Sequence, residues 1–214
     1  MAVCHPARLK ASCAGFTLVE LVLVIVVIGL LTAATLKGVA LLDSAKTKEV
    51  IVLAKDIRQA SYAFKNRYHY LPGDLPTAAA SMPGIAGACS YPAQLSPGTA
   101  GPGNGRIDTA TEQSCAVDQL FFAGLLKAQP DPNQPGRYRL QTEYGNAWLA
   151  SANTSGLAGI PATVQNVIVF ATLPCSVATA LDDAFDDGDV GNGRARGSVS
   201  SCANDPVPLF AVPL

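Results

Sequence analysis

A chain of 214 residues with a formal net charge of −1 has room for one ordinary domain and an appendage, and 14% charged residues is low for a protein solvated on every side. The charge is also unevenly placed: residues 37–70 carry seven Lys or Arg against three acids, whereas residues 71–214 carry six against twelve. The basic stretch is interrupted by Asp43, Glu49 and Asp56 and has no stacking aromatic before Tyr62, which argues against a nucleic-acid footprint and describes a solvated helix face.

From Phe16 to Leu36 the chain reads F-T-L-V-E-L-V-L-V-I-V-V-I-G-L-L-T-A-A-T-L, with Glu20 its one charge. Wound as a helix, this run is roughly 31 Å long, enough to cross a bilayer hydrocarbon core once. An ordinary secretory signal has a shorter apolar core followed by a small-residue cleavage site, so removal after the run is not expected. Lys37 to Tyr70 contains no proline and only Gly38 as glycine. Val50, Leu53, Ala54, Ile57, Ala60, Ser61, Phe64 and Tyr68 recur at three- and four-residue steps. The spacing predicts one helix over about 16–70, its second half packed on a domain and closed by Leu71-Pro72-Gly73-Asp74.

Residues 75–135 are rich in Pro, Gly, Ala and Ser and read mainly as loop, with one short helix from Ser114 or Cys115 to Lys127. Arg137–Glu143, Asn146–Leu149 and Val164–Thr172 read as strands of a small antiparallel sheet. Val177, Leu181 and Phe185 mark a helical turn or two, and Val207–Val212, carrying Pro208, reads as a final edge strand. The stretches G-N-G-R at Gly103 and Gly191 are two turns rather than a repeat unit. The fold class is α+β.

Cys89, Cys115, Cys175 and Cys202 follow the apolar run. None forms a C-x-x-C pair and neither histidine lies near them, which argues against zinc and for disulfides in an oxidising compartment. Cys89 with Cys115 and Cys175 with Cys202 is the economical pairing; two other connectivities remain open.

The stretch G-F-T-L-V-E at Gly15–Glu20 closely resembles the leader-peptide site of type IV prepilins and type II secretion pseudopilins. The resemblance implies a long N-terminal helix packed on a small antiparallel sheet with loop-rich insertions. It also implies cleavage between Gly15 and Phe16 by a prepilin peptidase, methylation of Phe16, and retention of Glu20 as the fifth mature residue. A plain signal anchor with an incidental glutamate would not carry the whole six-residue match. Arg8 and Lys10 supply the positive charge of a leader, although Lys37, Lys46, Lys48 and Lys55 follow the span and the positive-inside rule alone favours the opposite orientation. The leader and the four later cysteines place the C-terminal part outside. Four segments follow: a leader at 1–15, a transmembrane and filament-core helix at 16–36, its amphipathic continuation at 37–70, and an exported globular domain at 71–214. Tyr70-Leu71-Pro72-Gly73-Asp74 and Leu181–Arg196 further resemble a bacterial subgroup of pilin-like proteins.

Asp182, Asp183, Asp186, Asp187, Asp189 and Asn192 crowd into one loop, an oxygen-rich set suited to Ca²⁺. The spacing lacks the EF-hand register, and Arg194 and Arg196 lie close enough to make the loop a purely structural network. Both readings stand at this level.

No Ser-His-Asp order, phosphate loop or cysteine nucleophile motif is present, and His69 in Y-H-Y reads as structural. The expected function is a non-enzymatic structural subunit of a type IV pilus or type II secretion pseudopilus. Its partners would be prepilin peptidase, other pilin or pseudopilin subunits and the inner-membrane assembly machinery. It would sit single-pass in the inner membrane with a periplasmic domain before entering a filament. The alternative is a membrane-anchored or filament-tip adhesin or binding module.

Overall fold

The computed structural model describes residues 17–91, 101–203 and 205–214. The chain separates into a unit ending at Ser44 and a second unit, Ala45–Leu214. Helix α1 (Leu18–Tyr68) supplies the first unit and opens the second. In the first unit every side chain from Leu18 to Lys37 is exposed, including the fifteen positions from Leu18 to Thr32, which are Leu, Val or Ile apart from Glu20, Gly29 and Thr32. Such a helix is long and apolar enough to cross a membrane.

In the second unit the expected stripe is the buried one. Val50, Ala54, Ile57, Ala60 and Phe64 join the core, with Leu53 and Tyr68 packed at its margin. The helix stops at a backbone reversal, His69 adopting φ 65° while its N–H still bonds Lys65 O at 2.8 Å. The following Leu71–Asp74 turn is fixed from across the core: Gly73 N–H donates to Gln119 Oε1 at 2.6 Å, and Gln119 Nε2 donates to Leu75 O. Gly73 is required there, because its φ is 89° and a Cβ would collide with the Glu112 carbonyl.

After the one-turn helix α2 (Ala78–Ser81), helix α3 runs Ala110–Phe122. It starts before the expected Ser114 or Cys115 because Thr109 and Glu112 form a reciprocal capping box. It also stops short of Lys127, since Gly124 adopts φ 70° and Leu125 N–H closes onto Leu120 O at 3.1 Å.

The sheet is antiparallel throughout, in the order β1 (Gln129–Pro130), β2 (Tyr138–Gln141), β3 (Asn146–Ser151), β4 (Asn166–Leu173), β6 (Val207–Pro213), β5 (Arg196–Gly197). The expected strand ending at Glu143 ends at Gln141, because Thr142 Oγ1 accepts the N–H groups of Tyr144 and Gly145 and begins the hairpin turn. The expected edge position of Val207–Val212 is corrected: β6 lies between β4 and the short β5, whose Arg196 and Gly197 pair with Ala211 and Phe210. Helix α4 (Cys175–Phe185) is longer than a turn or two and is fastened at its start by Cys175 N–H to Asp205 Oδ1, 2.9 Å.

Alternation sorts the sheet into two faces. Leu140, Leu149, Ile168, Phe170 and Phe210 meet Ile57, Phe64, Leu120 and Leu181 in the main core. Val167, Val169, Ala150 and Ala211 form a smaller cluster on the other face with Leu157 and Val164, and Trp148 and Leu209 pack at its margin. Strand β4 is therefore buried on both faces, which accounts for its unbroken β-branched run.

Candidate functional site

The chemistry of the first unit is concentrated at the start of α1. Thr17 Oγ1 accepts the Glu20 N–H at 3.3 Å, and Leu21 N–H bonds Thr17 O at 3.2 Å. A hydroxyl three residues before a glutamate caps the helix, and a carboxylate in that first turn sits at the positive end of the dipole. The Glu20 side chain is exposed, as are its apolar neighbours. Among the described residues no cation forms an ion pair with it. Gly15 and Phe16 lie outside the described residues. The arrangement is a single carboxyl group on an otherwise apolar helix surface.

Residues 10–36 match the family model described as the prokaryotic N-terminal methylation motif. This motif is the signature of type IV pilins and pseudopilins, and it implies processing by prepilin peptidase and assembly with pilin subunits. The match covers the expected cut, Glu20 and the apolar part of α1, and residues 37–214 lie beyond it. No curated protein and no solved structure matches the chain. The methylation motif thus speaks for the anchor, and the globular unit has to be read from its own groups.

In that unit the cysteines join as Cys89–Cys115 and Cys175–Cys202, with Cα separations of 5.4 and 5.6 Å. Loops of 26 and 27 residues correspond to about 3.5 kcal/mol each in the chain-entropy account. The first ties the Gly87–Cys89 turn to α3 and is wholly buried; the second ties the start of α4 to the segment before β6.

The acidic loop is only partly gathered. Asp182, Asp186 and Asp187 each bring a carboxylate oxygen to within 4.8 Å of the others, while Asp183 and Asp189 are exposed and outside that group; Asn192 is exposed as well. Asp182 is fully buried: its Oδ1 accepts Gly188 N–H at 2.8 Å, and its Oδ2 has no hydrogen-bond partner. Burial, opposed by that N–H and reinforced by Asp187 and Asp186, pushes its carboxyl up to about 6. Asp186 Oδ2 accepts the main-chain N–H groups of Arg194 and Ala195 from the second G-N-G-R turn, and a side chain at Gly193 would collide with that carboxylate.

Three further acids escaped sequence reasoning. Asp74 accepts N–H groups of Gly103, Asn104 and Gly105 at 2.5, 3.0 and 2.9 Å, so the first G-N-G-R turn grips an aspartate as the second does. Asp118, fully buried, pairs with Arg137 Nε and accepts Tyr138 N–H at 2.7 Å. Glu112, also fully buried, uses Oε2 to accept the N–H groups of Asp108 and Thr109, and its Oε1 has no partner. Only Glu112 left a local signal, the T-x-x-E spacing.

Burial pushes the Glu112 carboxyl up to about 7 from 4.5, against the pull of its N–H donors. The folded state then binds this proton more tightly than the unfolded chain. Its contribution to stability is complete below about 4.5 and is lost as pH rises through about 7. Denaturation of the full-length protein is expected to show a midpoint that falls between about pH 5 and about pH 8, with a shallower fall in Glu112→Gln. Identical slopes in the two proteins would remove Glu112 as the source.

Proposed function

We propose that the chain is a prepilin whose residues 1–15 are a leader, cut between Gly15 and Phe16, with Phe16 then methylated. Residues 16–36 anchor the product in the inner membrane and later form filament core, residues 37–70 continue that helix, and residues 71–214 are the exported domain. The product is a structural, non-enzymatic subunit of a type IV pilus or a type II secretion pseudopilus. The reading is carried by the methylation motif at residues 10–36 lying on a helix that exposes its entire apolar surface. An apolar cylinder of that kind is satisfied in lipid before assembly and among other such helices after it. Glu20 pairs in the assembled state with the amino group of Phe16 on a neighbouring copy, which sets the axial stagger. The two disulfides in the globular unit support its passage to an oxidising compartment.

Intact mass and N-terminal sequencing of protein from cells containing prepilin peptidase are expected to give a chain that starts at Phe16 and carries one added methyl group. A product that begins at Met1, or anywhere other than Phe16, sinks the reading.

The Asp182–Asp187 group is read as a weak Ca²⁺ site supporting the exported domain. The unpartnered Asp182 Oδ2 favours it, with water completing the six to eight oxygens that the ion takes. Ca²⁺ at about 1 mM, within the range of extracellular sites, is expected to raise the melting midpoint of the wild-type protein and not of Asp182→Asn. An unchanged wild-type midpoint leaves the loop to its own hydrogen bonds.

A further inference from the structure

Between the second half of α1 and the end of the sheet where β4 begins and β6 finishes lies a cavity of about 230 Å³. One wall is α1, through Ser61, Tyr62 and Lys65, and the Tyr62 hydroxyl donates to Leu214 O on the other wall at 3.5 Å. At about 100° per residue, Ser61 stands between the core positions Ile57 and Phe64 and the flank that carries Lys65. Alternation puts Asn166 and Leu214 on the sheet face of Ile168, Phe210 and Val212, the face on which the core residues of α1 pack. Both G-N-G-R turns also reach the cavity, the first at Gly105 and the second at Arg194.

Its walls are fixed without any ligand. Asn166 Oδ1 accepts Ile107 N–H at 2.9 Å and its Nδ2 donates to Gly105 O at 3.1 Å, while the main chain at Arg194 is held by Asp186. Other groups at the border are uncommitted. Ser61 is only 1% exposed, and its Oγ has no hydrogen-bond partner. Helical hydroxyls elsewhere in the chain bond back to their own helix, as Thr32 does to Ile28 O and Ser114 to Thr111 O. Ser61 does not, so its hydroxyl is left for an oxygen that enters the cavity. Lys65 and Arg194 are exposed and, among the described residues, pair with no carboxylate, that of Leu214 included. No Asp or Glu among the described residues borders the cavity; Asp74 and Asp186 grip the two turns through main-chain N–H groups.

These features select an anion with several oxygens. Donors come from three elements: Ser61 and Lys65 from α1, Gln165 from the segment before β4, and Arg194 from the second turn. A flat carboxylate offers two oxygens in one plane. A phosphoryl group offers three that diverge, and a guanidinium with an ammonium matches its charge of about −2. The volume is below that of drug-sized pockets and leaves room for a phosphoryl group with a few further atoms. We propose that the Ser61–Lys65–Arg194 cavity binds a phosphoryl group, free or as a small monoester, with the two cations on its oxygens and the Ser61 hydroxyl as the buried donor. The site lies wholly in the globular unit and does not depend on the assembly reading above.

Full-length protein, in buffer and detergent that contain no phosphate, is titrated with inorganic phosphate and separately with glycerol phosphate, and phosphorus NMR line broadening is followed. At least one of the two is expected to saturate with a dissociation constant of about 1 mM at low salt and to weaken as ionic strength rises. The tighter of the two names the source, phosphate ion or ester. Lys65→Gln and Arg194→Gln are each expected to weaken binding about fivefold, and the second turn keeps its form in the latter because Asp186 holds main-chain N–H groups. Ser61→Ala is expected to weaken binding about fivefold without lowering the melting midpoint of the free protein, since the hydroxyl bonds nothing in the core. Arg106→Gln, on the first turn and outside the cavity border, is expected to bind as the wild type does. The proposal is overturned if neither ligand saturates, or if the three cavity variants all bind with wild-type affinity. It is equally overturned if acetate binds as tightly as phosphate, or if Arg106→Gln weakens binding as much as Arg194→Gln, which would assign the effect to general surface charge. A lower midpoint in Ser61→Ala would place the hydroxyl in the core and overturn its role as donor.

Discussion

Cells that carry Glu20→Ala in place of the native chain will hold the processed protein in their membranes at ordinary levels, while sheared filaments will contain at least about a hundredfold less of it. Glu20 is exposed on an apolar helix, and within the described residues it has no cationic partner. In the membrane its cost is moderated by the first-turn position and the nearby interface. Under the proposed assembly that relief is lost among packed helices, and the proposed pair with the amino group of Phe16 on a neighbouring copy would compensate the charge. Removing one member of a desolvated ion pair typically costs about 3–5 kcal/mol, because the other charge is left without compensation. Glu20→Gln keeps the shape and removes the charge, so it should fail nearly as badly. Wild-type incorporation of either variant would show that charge pairing does not set the stagger.

The second large effect lies in the globular unit. Arg137→Leu is expected to destabilise it by about 3–5 kcal/mol, lowering its melting midpoint by about 10 °C. Asp118 is fully buried, and burial already holds its carboxyl above the usual range despite the Tyr138 N–H and the Arg137 guanidinium. Without the guanidinium, the Tyr138 N–H is the one donor left among the described residues to compensate the charge. Adding Asp118→Asn to the Arg137→Leu protein is expected to restore much of the loss, since the amide oxygen can still accept from Tyr138. A double variant as unstable as the single one would mean that lost packing, and not the stranded charge, is responsible.

Sequence patterning resolved the parts of the fold whose information is local. The stripe from Val50 to Phe64 is buried because a helix returns every three or four residues to one side, and that rhythm is written in the chain. The β-branched run of β4 is equally direct. Errors arose where a remote or very short partner decides the outcome. β6 read as an edge because the strand beside it is only Arg196 and Gly197, too short to leave a pattern. The Asp118–Arg137 pair and the contact of Asp74 with Gly103–Gly105 join residues far apart along the chain, and neither has a motif. The start of α3 is written in Thr109 and Glu112, which lie inside a stretch whose Pro, Gly, Ala and Ser content reads as loop. For the functional groups the division is similar: Gly15, Phe16 and Glu20 form a contiguous word, whereas the contact of Asp186 with the N–H groups of Arg194 and Ala195 exists only after the loop has folded back.

The two G-N-G-R turns hold Asp74 and Asp186 through main-chain N–H groups. A grip made of backbone is blind to most side-chain replacement, and proline is the substitution that would delete a donor outright. Arg106 and Arg194, both exposed on these turns, can therefore be exchanged for other chemistry without releasing either loop. The globular unit thus carries two anchored display points, at which its surface can diversify while the architecture beneath stays fixed.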